Sequence, residues 1–396
     1  MDDRIIICRK DDCIVSALFR GRDCYKLSVF RDEEKLRVGS IYIGRIDSVV
    51  PNVNACFANI GTGANVYVPL KKLEGALATP SHADGQIHQG DSVLLQIDRL
   101  PSKSKPASAT GEISLAGNAT VLLRGRKGIS FSKMIDIPGY RDEMREAFRD
   151  LDMEGYGAML RTNAPYFSKE KTVAEFERLR EEYEEILRRF RFGRPGTLIK
   201  DGLPDYMTMF RDEHLSDLTE IVTDDEPVYG QLTDYCNRFL PELSAKIRKY
   251  QSDQVSLYHV YDLAKCFKEA LSRSVYIKSG AEMVFDRTEA MTVVDVNSGK
   301  ASAAGKKDVL SKINLEAAKE LARQIELRSL SGMILCDFIS TGREESDRLL
   351  NAMREYVAFD RDTTVVDITT LGIMEITRTK KEAPLQETVK KTRFTP

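Results

Sequence analysis

The sequence has no paired cysteines. Its seven, at 8, 13, 24, 56, 236, 266 and 336, include no CxxC pair and are odd in number. That argues against a zinc knuckle or a disulfide framework and fits reduced thiols in a cytoplasmic protein. Neither sign of charge dominates: 59 Lys and Arg stand against 61 Asp and Glu, a net charge of −2. A histone-like polycation is excluded, although a basic groove can hide inside a neutral total. No stretch reads as a membrane helix. The longest uncharged one, residues 48–70, has 23 residues but holds four Asn, two Gly, two Pro and a Thr, whose polar groups lipid would leave unsatisfied. The first ten residues set acids and bases around a four-residue apolar run, too short for a signal-peptide core. Histidine is scarce. His82, His88, His214 and His259 show no ligand spacing and no Ser or Cys partner, and surface or helical positions are expected for them. Long repeats and low-complexity runs are absent.

What is present is an ordinary globular balance, 42% hydrophobic and 30% charged over 396 residues, enough for two or three domains. Residues 4–8 and 13–19 read as strands split by the turn-like Lys10-Asp11-Asp12. Five short segments follow at 41–44, 48–51, 55–60, 65–70 and 92–97, a pattern that predicts a small closed barrel of the OB type. A Pro/Ser/Lys loop over 100–109 precedes Ile113-Ser114-Leu115. A charged helix is predicted from Ser168, its N-cap, to about Phe192, with Gly193 and Pro195 ending it. Residues 198–279 read as mostly helical. Beyond Ala281 strands alternate with one strong helix, capped by Asn314 and burying Leu315, Ala318, Leu321, Ala322 and Ile325. The last 19 residues, 378–396, hold six bases and two acids and read as a nucleic-acid or surface tail.

The sharpest local text is Met291-Thr-Val-Val-Asp295-Val-Asn297-Ser-Gly299. Strand alternation puts Met291, Val293, Asp295 and Asn297 on one face. Asp337 likewise follows an apolar strand, Met333-Ile-Leu-Cys. If the two strands are neighbours, two carboxylates and an amide meet at one end of a sheet, an arrangement suited to Mg²⁺ with room for water and a phosphate. The bland alternative is two aspartates that cap turns. Gly299-Lys-Ala-Ser-Ala-Ala-Gly305-Lys306-Lys307 mimics a P-loop, but its gap is one residue too long and Lys307 replaces the Ser or Thr. In the barrel, Phe57 and Tyr67 lie near Arg45, Lys71 and Lys72. Such aromatics either stack bases of a single strand or fill the barrel core.

Several segments, in colinear order, resemble the ribonuclease E/G family. Ile41-Tyr-Ile-Gly-Arg-Ile, Ala55-Cys-Phe-Ala-Asn-Ile-Gly and Tyr67-Val-Pro-Leu resemble its RNA-binding barrel. Ile113-Ser-Leu-Ala-Gly117 and Leu160-Arg161-Thr162 resemble its 5′-end sensor. Ser279-Gly280, Thr288-Glu289-Ala290, Asp295-Val-Asn297-Ser-Gly299, Asn314-Leu-Glu-Ala-Ala, Asp337-Phe-Ile and Gly372-Ile-Met-Glu375-Ile-Thr-Arg378 resemble its catalytic domain and closing motif. The resemblance implies an α+β multidomain fold. An RNase H-like subdomain would be split between 1–36 and 197–278, around an OB-fold barrel at 37–118 and a 5′-sensor region at 119–196. A DNase I-like catalytic domain would follow at 279–396.

The resemblance also implies a magnesium-dependent endoribonuclease, with Mn²⁺ as an alternative ion. It would cut single-stranded RNA in RNA processing and decay, favouring 5′-monophosphorylated ends. By that analogy Asp295 and Asp337 are metal ligands and Asn297 supports the scissile phosphate or an attacking water. Gly117, Val121, Arg161 and Thr162 would bind the 5′-phosphate, while Phe57, Tyr67 and Lys105 would contact RNA. Three departures matter. Ser340 stands where the family often has an acid. The cysteine motif of a zinc link is missing, so no structural zinc and no zinc-clamped oligomer is expected. The long scaffold of larger members is missing too, which suggests a minimal catalytic form. Weak or absent catalysis in an RNA-binding protein of the same fold is the alternative, with Ser340 as its sign.

Overall fold

The computed structural model describes residues 2–31, 36–80, 82, 85–101, 105–153, 155–213, 215, 217–299 and 307–396. The chain divides into two compact units, one of Met1–Asp32, Asp217–Asp234 and Glu242–Pro396, the other of Glu33–Ser216 and Tyr235–Pro241. His214 and most of the P-loop-like segment (residues 300–306) lie outside the described residues.

In the first unit, strands Asp3–Lys10, Cys13–Arg20 and Asp23–Arg31 form an antiparallel meander. Asp11, at φ 51°, makes the first turn. Leu218–Thr223 adds to Asp3–Lys10 in parallel, and Ile247–Lys249 adds in parallel to that. Ile5, Ile6, Ile7 and Cys8 are all fully buried. A strand with no alternation of burial is covered on both faces. Residues 198–279 are not mostly helical: Leu218–Thr223, Ile247–Lys249 and Ser274–Tyr276 of this unit, and Leu198–Lys200 of the second, are strands set among the helices.

The same unit holds a six-stranded sheet in the order Ser274–Tyr276, Glu282–Arg287, Met291–Asn297, Gly332–Asp337, Ile373–Arg378, Thr363–Ile368. Helices Lys307–Leu327 and Arg343–Tyr356 cover one face, burying Val294, Val296, Ala318, Leu321, Ile325, Ile334 and Cys336 in one core. Asn314 does not cap the first helix, which begins seven residues earlier; it is buried in its middle. The basic C-terminal stretch is not a free tail. Helix Leu385–Thr392 docks through Leu385, and Phe394 just beyond it packs against Phe267 and Tyr258.

In the second unit, strands Ile41–Val50, Ala55–Asn59, Asn65–Pro69, Ser108–Thr110 and Ser92–Arg99 hydrogen-bond in that order, and the last closes back onto the first. This is a closed five-stranded barrel consistent with an OB-like fold. Two of the predicted strands are one. The polar Asp47-Ser48 that suggested a break marks a register shift between Ile46 and Ser48. The fifth strand, Ser108–Thr110, comes from the expected loop. Gly44 is a packing glycine, since a Cβ there would lie 2.6 Å from Leu95 Cδ1.

A four-stranded sheet of Ser114–Ala116, Thr120–Arg124, Tyr156–Leu160 and Gly128–Phe131 completes the unit. Helix Lys169–Phe192 packs here through Phe176, Leu179, Tyr183, Ile186 and Phe190, a stripe with alternating steps of three and four. Ser168 caps it as expected, its Oγ accepting from Lys171 N at 3.3 Å.

Candidate active site

Strands Met291–Asn297 and Gly332–Asp337 are parallel neighbours, and their register sets Asp295 opposite Asp337. Thr292, Val294 and Val296 point into the core while Val293, Asp295 and Asn297 are exposed. The period-two pattern thus forces both carboxylates onto the face without helices. Adjacent strands lie about 4.8 Å apart, so two anions there repel unless a cation intervenes. Their outer strand neighbours, Val284 and Ile373, are apolar and bring no counter-charge. Asn297 Nδ2 donates to Asp295 Oδ2 at 2.7 Å. Burial and the charges of Asp337 and Asp295 push the Cys336 thiol well up, so Cys336 is an inert core residue.

The donor set suits a hard divalent cation: two carboxylates, one oriented by an amide, with no soft ligand. Among the described residues no group of three or more His, Cys, Asp or Glu is placed to hold a metal. A cation held by these two carboxylates would have room for water and phosphate oxygens as further ligands. Ser340 is exposed three residues beyond Asp337 and supplies no charge.

Asn314 does work that its sequence position did not suggest. Its Nδ2 donates to Ile339 O at 2.7 Å and its Oδ1 accepts from Ile339 N at 3.1 Å. This two-way amide bond fixes the backbone just after Asp337. Glu316, two residues on, accepts from Ser279 N. Gly299, at φ +54°, comes so near Gly280 that a Cβ would stand 2.8 Å from its carbonyl oxygen. The separate Ser-Gly and Asn-Leu-Glu segments therefore brace the ends of both strands at one end of the sheet.

On the barrel, Phe57 and Tyr67 are directly paired across two strands, their rings 6.0 Å apart and edge to face. Their neighbours Cys56, Ala58, Val66 and Val68 fill the core. Alternation leaves both aromatics half-exposed on the outside. Lys105 is exposed on the segment leading to Ala107, whose carbonyl accepts from Tyr67 N. Arg45 and Lys71 are exposed, and Lys72 is tied to Asp98.

In the four-stranded sheet, Arg161 follows strand Tyr156–Leu160, and its N donates to Ala119 O. Arg161 Nη1 donates to Gly117 O at 2.7 Å and Arg211 O at 3.1 Å, and Nη2 donates to Asp212 Oδ1 at 2.5 Å. Thr162 Oγ1 and Ser132 Oγ are 2.9 Å apart. Val121 is buried. Glu175, absent from the sequence reading, organises this corner. Its buried carboxylate accepts from Asn118 N, Ala119 N, Thr120 N and Thr120 Oγ1 at 2.8–3.0 Å. Arg211 and Asp212 were also missed, because some 50 residues separate them from Arg161 and no local pattern links them.

Ribonuclease G of Salmonella typhimurium (strain SL1344) is 26% identical over 375 residues, 91% of this chain and 76% of that protein. Ribonuclease E of Escherichia coli (strain K12) is 30% identical over 386 residues, 94% of this chain and 36% of that protein. Ribonuclease E of Synechocystis sp. (strain ATCC 27184 / PCC 6803 / Kazusa) is 27% identical over 398 residues, 98% of this chain and 58% of that protein. The class these relatives define is endoribonuclease. The family model described as the Ribonuclease E/G family matches residues 114–381, about two thirds of the chain. The chain belongs to the ribonuclease E/G family. None of its described helices is long and apolar enough to cross a membrane.

Proposed function

We propose that this chain is a magnesium-dependent endoribonuclease, able to use Mn²⁺, that cuts single-stranded RNA in the cytoplasm and favours a 5′-monophosphate. The observation that carries the reading is the in-register pair Asp295 and Asp337 on an exposed sheet face. The two carboxylates would hold the cation, and Asn297 would orient Asp295 toward it. When bound, the ion supplies Lewis acidity and lowers the pKa of a water, giving 5′-phosphate and 3′-hydroxyl products. Phe57 and Tyr67 stack bases while Lys105 meets a phosphate, so preference for unpaired RNA arises in binding. Arg161, with Thr162, Gly117 and Val121, binds the 5′-phosphate.

For the domain assignment, residues 1–36 with 197–278 are read as RNase H-like, 37–118 as the barrel, 119–196 as the sensor and 279–396 as DNase I-like. Three antiparallel strands extended at one edge by two parallel ones support the first of these.

The test is Asp295→Asn and Asp337→Asn on the full chain. Each should lose cleavage by orders of magnitude, every tenfold being about 1.4 kcal/mol of barrier, while binding single-stranded RNA as the wild type does. Asn297→Ala should lose less, since it carries no charge. Near wild-type cleavage by both Asn variants would make these aspartates turn caps. A wild type that binds but never cuts in Mg²⁺ or Mn²⁺ would favour the binding-protein reading, and Ser340 would be the first residue to suspect.

A further inference from the structure

The second unit contains an ion cluster that the proposed sensor role of Arg161 does not explain. Asp212 stands between two guanidinium groups. Its Oδ1 accepts from Arg161 Nη2 at 2.5 Å and from Arg211 Nε at 2.8 Å, and its Oδ2 accepts from Arg211 Nη2 at 2.8 Å. All three groups are partly exposed, with 21%, 27% and 33% of the Arg161, Arg211 and Asp212 side chains open to water. Burial pushes the Asp212 carboxyl up, but Arg211 and Arg161 outweigh it and hold it below the usual carboxylate range, so it is an anion at neutral pH.

The donors divide into two sets. Arg161 Nη1 is spent on the carbonyls of Gly117 and Arg211. That fixes the guanidinium whether or not Asp212 is charged. The backbone at 212 is held separately, by Asn163 Nδ2 donating to Asp212 O at 2.7 Å. Arg161 Nη2 and the Nε/Nη2 fork of Arg211 converge on one carboxylate. Three charged N–H groups around an anion, two of them a fork, form the set that a terminal phosphate takes.

We propose that Asp212 is a built-in competitor for the phosphate site, and that Arg211 is a second phosphate-binding arginine unmasked when Asp212 is displaced. The inference rests on the 5′-monophosphate reading and deepens it. A phosphate monoester, with nearly two charges and three terminal oxygens, can displace a carboxylate. A 5′-hydroxyl cannot, so Asp212 keeps the cradle closed to uncharged ends. The cost is affinity: if the open cradle is populated about one part in ten, the apparent dissociation constant for a phosphate is raised about tenfold.

The experiment uses the full chain without divalent metal and measures binding of one unstructured decamer RNA carrying a 5′-monophosphate or a 5′-hydroxyl. Adenosine 5′-monophosphate and adenosine serve as minimal probes. Asp212→Asn and Asp212→Ser should bind the monophosphate decamer about tenfold more tightly than wild type, raising its advantage over the hydroxyl decamer by the same factor. Adding Arg211→Ala to either variant should erase the gain. If neutralising Asp212 leaves that advantage unchanged or lowers it, the carboxylate supports Arg161 and the competitor role is overturned, while a wild-type preference for monophosphate would keep the sensor reading alive. If both neutral variants gain about tenfold for adenosine 5′-monophosphate yet no protein distinguishes the two decamers, the competitor role holds and the RNA-end reading falls.

Discussion

At the scale of single residues, what could be read from the sequence depended on whether a side chain's partners were local. Asp295 and Asn297 lie on one strand, so period two alone gave their common face; Asp337 needed only a neighbouring strand. Glu175 had no such cue. It is one acid in a charged helix, yet its carboxylate accepts three backbone N–H groups and a hydroxyl at the turn after Gly117. A Cβ on Gly117 would stand 2.4 Å from Glu175 Oε1, and those four bonds leave the carboxylate no room to retreat. Gly117 is there because Glu175 is. Hydrogen bonds to a charged group are worth about 1.5–3 kcal/mol each, and a Gln amide would turn an N–H donor toward other donors. Glu175→Gln should therefore lower stability by about 2–3 kcal/mol in chemical denaturation, and Gly117→Ala by a similar amount. The double variant should cost clearly less than the two added together. Strict additivity would mean that the glycine answers to something else.

At the scale of elements, long amphipathic segments were legible and short buried ones were not. Helix Lys169–Phe192 showed its cap and stop in the text. Strand Leu218–Thr223 sits among helices, and its Leu, Ile and Val, three apolar residues in six, give no period that separates a buried strand from a helix. Asn314 looked like a cap because Asn favours caps, but its amide is committed to Ile339. The closing segment, strand Ile373–Arg378, owes its Arg378 to an ion pair at its end. Arg378 Nε donates to Asp360 Oδ2 at 2.6 Å, Nη1 donates to Leu330 O at 3.1 Å, and only 10% of either charged side chain is exposed. Burial pushes the Asp360 carboxyl up, but Arg378 and Thr363 more than offset this and hold it below the ordinary carboxylate range. A lowered folded-state pKa gives stability that is present above the unfolded value near 3.9 and is lost as pH falls through the folded value. Asp360→Asn should thus cost about 3 kcal/mol at pH 7, because it strands a buried guanidinium. The gap from wild type should narrow below about pH 4. A gap that stayed constant from pH 7 to pH 3 would contradict this account.

At the scale of the whole molecule, each unit is assembled from segments that no local window connects. Strand Asp3–Lys10 finds its parallel partner more than 200 residues later, and Ser108–Thr110 closes the barrel from what reads as a loop. Composition hides as much: a net charge of −2 says nothing of where cations gather. Binding of a single strand to such a chain has two separable parts. Phosphate contacts release counterions and scale with salt, with a slope of about −0.7 per phosphate neutralised, whereas stacking does not. Phe57 and Tyr67 present half-exposed rings and Lys105 an exposed ammonium on the same barrel. Phe57→Ala should weaken binding of an unstructured RNA by about 1–3 kcal/mol and leave the salt slope untouched. Lys105→Ala should lose less affinity at high salt than at low salt and make the slope shallower by about 0.7. Titrations at several salt concentrations, in metal-free buffer to prevent cleavage, separate the two effects. Should Phe57→Ala bind as tightly as wild type at every salt, the paired rings are only a barrel surface, and the strand is held elsewhere.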